Sequence, residues 1–151
     1  MSKIEMGELL YELTLNITGM TEYGVSFEAL MAGEVPPPPE GARFDFEIEG
    51  VANGPKLKGK VTGVDYLWMR ADGRTELNVY LKITTDDGQN IAGHVRGIVT
   101  PRPDSSISEL RENITLFTSS EDYKWVNPLE VWGIGTVDLA TKIIKLSAYS
   151  A

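Results

Sequence analysis

Apolar and polar positions alternate with a period of two along much of this chain. Leu9, Tyr11, Leu13, Leu15 and Ile17 alternate with Glu8, Leu10, Glu12, Thr14 and Asn16. Phe44, Phe46 and Ile48 alternate with Arg43, Asp45, Glu47 and Glu49. That period predicts half-buried β-strands. The middle third carries it most densely. Val64–Arg70 runs into Ala71-Asp72-Gly73-Arg74, Glu76–Ile83 runs into Thr85-Asp86-Asp87-Gly88, and Asn90–Val99 follows. Asp-Gly between β-rich runs is the strongest short-range hairpin signal, so these segments predict an antiparallel meander.

Further strands are predicted at Leu57–Thr62, Ile114–Phe117, Leu129–Gly135 and Lys142–Tyr149. Val25–Met31 fits either a short strand or a helical turn. Ser106-Ile107-Ser108-Glu109 resembles a capping box and predicts one helical turn near Ser108–Arg111. Pro36–Pro39 lacks ladder donors and predicts an extended connector across the surface. About eight to ten short strands with few helices predict an all-β fold, a barrel or a sandwich. With 151 residues the expectation is a single domain over 1–151.

Charge and composition narrow the function. A net charge of −8 with scattered Lys and Arg argues against nucleic acid and against anionic lipid. The absence of cysteine excludes disulfides and thiolate chemistry, and a single histidine leaves too few ligands for a catalytic zinc site. No metal and no cofactor are therefore expected. Met1-Ser2-Lys3-Ile4-Glu5-Met6 lacks the basic and apolar regions of a secretory leader, and no apolar run reaches membrane-spanning length. The expected location is the cytoplasm.

Several ordered motifs bring a family to mind. They are Pro39-Glu40-Gly41-Ala42-Arg43, Gly54-Pro55-Lys56-Leu57-Lys58-Gly59-Lys60-Val61, and Asp65-Tyr66 with Arg70-Ala71-Asp72-Gly73. Leu77 through Thr85-Asp86-Asp87-Gly88, Gly97, the stretch from Phe117 to Trp125-Val126-Asn127, and Gly133-Ile134-Gly135 complete the set. This order resembles the bacterial and fungal family DUF3237, also called UPF0311. The resemblance implies a closed or nearly closed antiparallel barrel of lipocalin-like or allene-oxide-cyclase-like shape, and implies no activity. The chain departs from the family pattern at Tyr80, Asn78 and Tyr66, where arginine, aspartate and tryptophan respectively are common.

A barrel of this size holds packed side chains or one small ligand, so candidate chemistry belongs to whichever polar residues face inward. His94 is the one side chain with an ordinary pKa near neutrality, and Arg96 follows it on the same strand face. In a cavity, His94 would serve as acid or base and Arg96 would hold an anionic oxygen; on a solvated face the two are a surface pair. Tyr80 could donate to a carbonyl with Asn78 orienting it, unless both simply face water opposite Leu77, Val79 and Leu81. Asp65 lies on an otherwise apolar face. It is either a base in a cavity or a structural carboxylate paired with Arg70 or Arg43, or with backbone donors near Gly63.

Tyr66, Trp68, Arg70 and Trp125 are further candidates for contact with a ligand. Val64–Arg70 is bulky on both faces, which predicts that another copy covers the outside of the barrel. The leading functional expectation is a barrel that binds a small apolar or aromatic molecule. The alternative is a cofactor-free isomerase, cyclase or lyase using His94 or Asp65 as base and Tyr80 or Arg96 at the oxyanion. A side-chain-filled structural module is the third.

Overall fold

The computed structural model describes residues 3–151. Met1 and Ser2, the first residues of the stretch read as lacking leader features, lie outside the described residues. Eight antiparallel strands close into a barrel in simple sequence order: β1 (Leu9–Glu22), β2 (Ala42–Asn53), β3 (Gly59–Met69), β4 (Thr75–Thr85), β5 (Asn90–Pro101), β6 (Ile107–Phe117), β7 (Val131–Asp138) and β8 (Ile143–Ser150). β8 pairs back onto β1, with Leu13 opposite Leu146. Every strand thus has two neighbours and no long edge is left open, which removes the aggregation hazard of an unpaired strand.

The alternation read from the sequence sorts the two faces. On β4, Leu77, Val79 and Ile83 are buried, while Tyr80 and Lys82 are exposed. The two Asp-Gly hairpins are built alike. Gly73 N–H donates to Arg70 O, Gly88 N–H donates to Thr85 O, and both glycines take φ near +90° (91° and 88°). Each is a three-residue loop whose left-handed position falls on glycine, the one residue without a Cβ penalty there.

One segment resolves differently from the sequence reading, and another settles on one of its two alternatives. Residues 107–111 form the start of β6 and not a helical turn. Ser108, Leu110, Ile114 and Leu116 are buried at every second position and the strand is paired on both sides, to β5 and to β7. Two complete ladders outweigh one local cap: the hydroxyl of Ser106 donates instead to Asp138, and Glu109 accepts from Arg102. Val25–Met31 resolves as a helix, α1 (Phe27–Met31), opened by Ser26, whose Oγ accepts from Ala29 N–H. Phe27 of α1 stands edge-on to Phe44 and Phe46, with ring centroids 5.1 and 5.2 Å away.

The interior is filled unevenly. Leu57, Val61, Ile83, Ile91, Val126 and Val131 are fully buried and pack one end solid. Toward the other end a cavity of about 110 Å³ remains, bounded by Leu67, Met69, Val99 and Leu139 and covered by Phe27 and Met31 of α1.

Candidate functional site

The lumen holds two carboxyl groups. Asp65 lies on β3 between Val61 of the filled end and Leu67 and Met69 of the cavity wall, and is only 8% exposed. Its Oδ1 accepts the backbone N–H of Asn78 at 3.2 Å. Neither Arg70 nor Arg43 reaches it. Arg70 is held at the β3–β4 turn by Asp72 (2.6 Å) and Glu76 (3.4 Å), and Arg43 lies over the Trp68 ring on the outside. Glu112 on β6 is the second carboxyl that lines the lumen; it is half-buried and also borders the outer groove, beside Gly97 and Gly133. Its cross-strand neighbours are Gly97 and Gly133, so no side chain crowds it from either side. A methyl group added at Gly133 would come within 3.2 Å of Glu112 Oε1. The glycines give the carboxyl its room.

The rest of the lining is apolar apart from Tyr11, Thr75 and Ser108, and includes no lysine, arginine or histidine among the described residues. An ionised carboxylate in such surroundings loses hydration without gaining a counter-ion, so its neutral form is favoured. Burial raises Asp65 to about 7, against the weaker lowering effect of the Asn78 N–H. Burial, followed by repulsion from Asp65, raises Glu112 to about 8. Burial also pushes up the Tyr11 hydroxyl, with Glu112 adding to the effect. Near neutral pH the pair therefore spans protonated and ionised states, so one group can give a proton while the other takes one.

The other residues singled out from the sequence lie elsewhere. Tyr80, Asn78, Arg96, Tyr66 and Trp68 border one groove on the outer wall, and His94 lies against Tyr80 and Asn78. His94 Nε2–H donates to Asn78 Oδ1 at 2.8 Å, and its ring stacks on Tyr80 at 4.4 Å. Tyr66 meets Tyr80 edge-on at 6.3 Å. Partial burial, with Arg96 nearby, holds His94 below its ordinary value. Of the two readings left open for His94, Arg96, Tyr80 and Asn78, the outward one holds, and the cavity in which they would meet Asp65 is corrected: the pleat sends them and Asp65 to opposite faces of the sheet. Trp125 lies apart from both groups, in a 3₁₀ turn at Glu121–Val126.

Glu112 was missed from the sequence. Its signal is the run Leu110, Glu112, Ile114, Leu116, which places it on the apolar face, as Asp65 is placed by Leu67 and Met69. Reading residues 108–111 as helical broke that run.

These features define a class: a closed eight-stranded antiparallel barrel, half filled, whose remaining cavity is apolar except for a carboxyl pair and a few hydroxyls. The chain belongs to the family described as "Protein of unknown function (DUF3237)", whose model matches residues 25–149. No curated protein matches it. Among solved structures it is similar to a protein with unknown function from Clostridium acetobutylicum, with 22% identity, a TM-score of 0.77, and 95% and 97% of the two chains covered. A beta-barrel like protein from Acinetobacter baumannii is similar at 20% identity and a TM-score of 0.77, covering 99% and 96%. A protein from Penicillium herquei described as an enzyme matches at 22% identity and a TM-score of 0.65, covering 99% and 97%. At these identities the likeness establishes the fold.

Proposed function

We propose that the lumen takes up a small, uncharged, largely apolar carbonyl compound, and that Asp65 and Glu112 relocate a proton on it. The observation that carries this reading is the carboxyl pair facing an apolar cavity without a basic side chain in its lining. A carrier for a purely apolar ligand gains nothing from two carboxyls on an apolar lumen wall, each of which costs free energy to desolvate. A proton-transfer site needs such a pair. The ionised member removes a proton from the carbon beside the carbonyl, and the protonated member donates to the carbonyl oxygen. An enol results, and reversing the transfer at another position gives an isomer, with no oxidant and no cofactor. The acidic lumen disfavours carboxylate ligands. The description of the Penicillium herquei barrel as an enzyme is in keeping with this reading.

Size bounds the ligand. A cavity of about 110 Å³ is somewhat smaller than the roughly 150 Å³ engineered cavity that admits benzene. The fitting molecule is on the scale of one ring, unless Phe27 and Met31 yield.

Cyclopentanone in D₂O is a probe of that size, followed by proton NMR of the methylene groups beside its carbonyl. The protein should accelerate deuterium incorporation, with a maximum between about pH 7 and 8, where one carboxyl is charged and the other is not. Asp65→Asn and Glu112→Gln should each lower the rate by about 10²-fold or more. Exchange that survives both substitutions, or probe binding without any exchange, removes the catalytic reading; the second result favours a carrier.

A further inference from the structure

The outer wall across β3 to β7 is unusually apolar and aromatic for a surface that faces solvent. Tyr66 and Tyr80, on β3 and β4, are 41 and 54% exposed there, and Trp132 and Ile134, 40 and 39% exposed, continue the wall on β7, beyond the four strands β2 to β5. They border one continuous groove of about 920 Å³. Clustered exposed aromatics with arginine are the composition of interface hot spots. Arg96, in the same groove, makes no ion pair among the described residues. The neighbouring strand β2 carries Asp45, Glu47 and Glu49 on its outward positions. An acidic row on β2, with Arg43 at its end, and the unpaired Arg96 on β5 therefore lie on one wall, and Asp45 and Arg96 make that wall complementary to a copy of itself. Self-complementarity is what an isologous interface requires.

We infer that a second copy of this chain covers this wall, related by a two-fold axis running parallel to the strands between β3 and β4. The register gives the consequence. Asp45 pairs with Tyr66 across β2–β3, and the β3–β4 register, in which Asp65 pairs with Val79, sets Tyr66 beside Asn78. Asn78 in turn pairs with Arg96 across β4–β5. Asp45 and Arg96 therefore flank the proposed axis on one row, one strand outside it on either side. Rotation about the axis lays β2 over the partner's β5 at unchanged height, and brings Asp45 to the partner's Arg96.

On the next row Glu47 pairs with Val64, Val64 with Tyr80, and Tyr80 with His94. Glu47 is brought in the same way to the partner's His94. Tyr66 and Tyr80 form the centre. Four strands at about 4.8 Å spacing and eleven residues at about 3.4 Å give a flat footprint of about 700 Å². Side-chain relief adds to that, toward the roughly 800 Å² per partner of a standard interface. A small anion bound in the groove would use the arginines but give the acidic row no role, and a copy of the chain uses both. At a net charge of −8, association depends on this local matching.

Sedimentation velocity over a hundredfold range of protein concentration tests the inference. Wild type should sediment at twice the chain's 16.6 kDa. Asp45→Arg and Arg96→Asp should each raise the dissociation constant by about tenfold or more, and the double reversal should restore it to within a few-fold. Asp45→Arg also loses the hydrogen bond from Tyr23, so far-UV circular dichroism accompanies each variant. Tyr80→Glu, at the centre, should dissociate the pair without touching Asp45. A monomeric wild type at the highest concentration overturns the inference, as does a double reversal no better than the worse single one. A wall meant for a small anion or for another protein would give that monomer.

Discussion

A carboxyl group moved from water into the apolar lumen resists ionisation, so the folded chain holds protons at Asp65 and Glu112 that the unfolded chain releases. Unfolded, these groups titrate near 4; folded, they titrate at about 7 and about 8. Between those values the folded state binds more protons, so stability falls as pH rises from about 4 toward 8. The loss between pH 5 and 8 should be on the order of 6 kcal/mol, or roughly 12–24 °C in melting temperature. His94, held low, opposes this weakly. Asp72, Asp87, Glu109 and Asp138 have lowered values, so what they contribute is lost below about pH 4, outside the window. Thermal melts of wild type and the Asp65→Asn/Glu112→Gln double variant across pH 5–8 check the assignment. The double variant should give a nearly flat curve, and an equal slope in both proteins would relocate the effect.

Among the elements, the hairpins are where sequence and structure agree most closely, because their chemistry is local. Gly73 and Gly88 sit in the left-handed region with nothing within 4 Å of an added Cβ. A substitution there meets conformational strain and no clash. Gly88→Ala should therefore cost about 1 kcal/mol and Gly88→Asn distinctly less, read from urea unfolding midpoints at constant slope. Equal costs for the two would mean that the turn is not held in that conformation. Strand β6 shows the opposite case. Ser106 to Glu109 carries a helix-opening signature worth about 1 kcal/mol. The competing strand is paired on both sides, to β5 across a short turn and to β7 beyond the 3₁₀ segment. A local reading registers the cap and misses the ladders, and with them Glu112.

For the whole molecule, closure of the barrel joins segments from the two ends of the described chain. Gly7 N–H donates to Ser150 O at 2.8 Å, and Ser150 N–H donates to Glu8 O at 2.9 Å. The β1–β8 seam is an ordinary ladder, 142 residues apart in sequence at Glu8 and Ser150. A circular permutant that joins residue 151 to residue 3 through a short Gly-Ser linker, reopened between Asp72 and Gly73, should fold to the same barrel. Its loss of stability should be about 1–2 kcal/mol, mostly from the opened turn. Circular dichroism and a single cooperative urea transition would show it. A permutant that fails to fold, while a control permutant opened at Gly33 succeeds, would mean that the β3–β4 hairpin must form first.

The sequence by itself determined most of the strands, the Asp-Gly turns, the all-β class and, within those strands, which residues share a face, because each follows from a period of two or from the conformational needs of single residues. Asp65 was legible as a carboxyl on an apolar face for that reason. Only the tertiary structure decided which face is the lumen. Alternation is unchanged when inside and outside are exchanged, and the choice is made by closure of β8 onto β1 around Leu13, Phe44, Ile83 and Ile114. That closure sent His94, Tyr80 and Arg96 to the outer wall and set Glu112 in the lumen with Asp65.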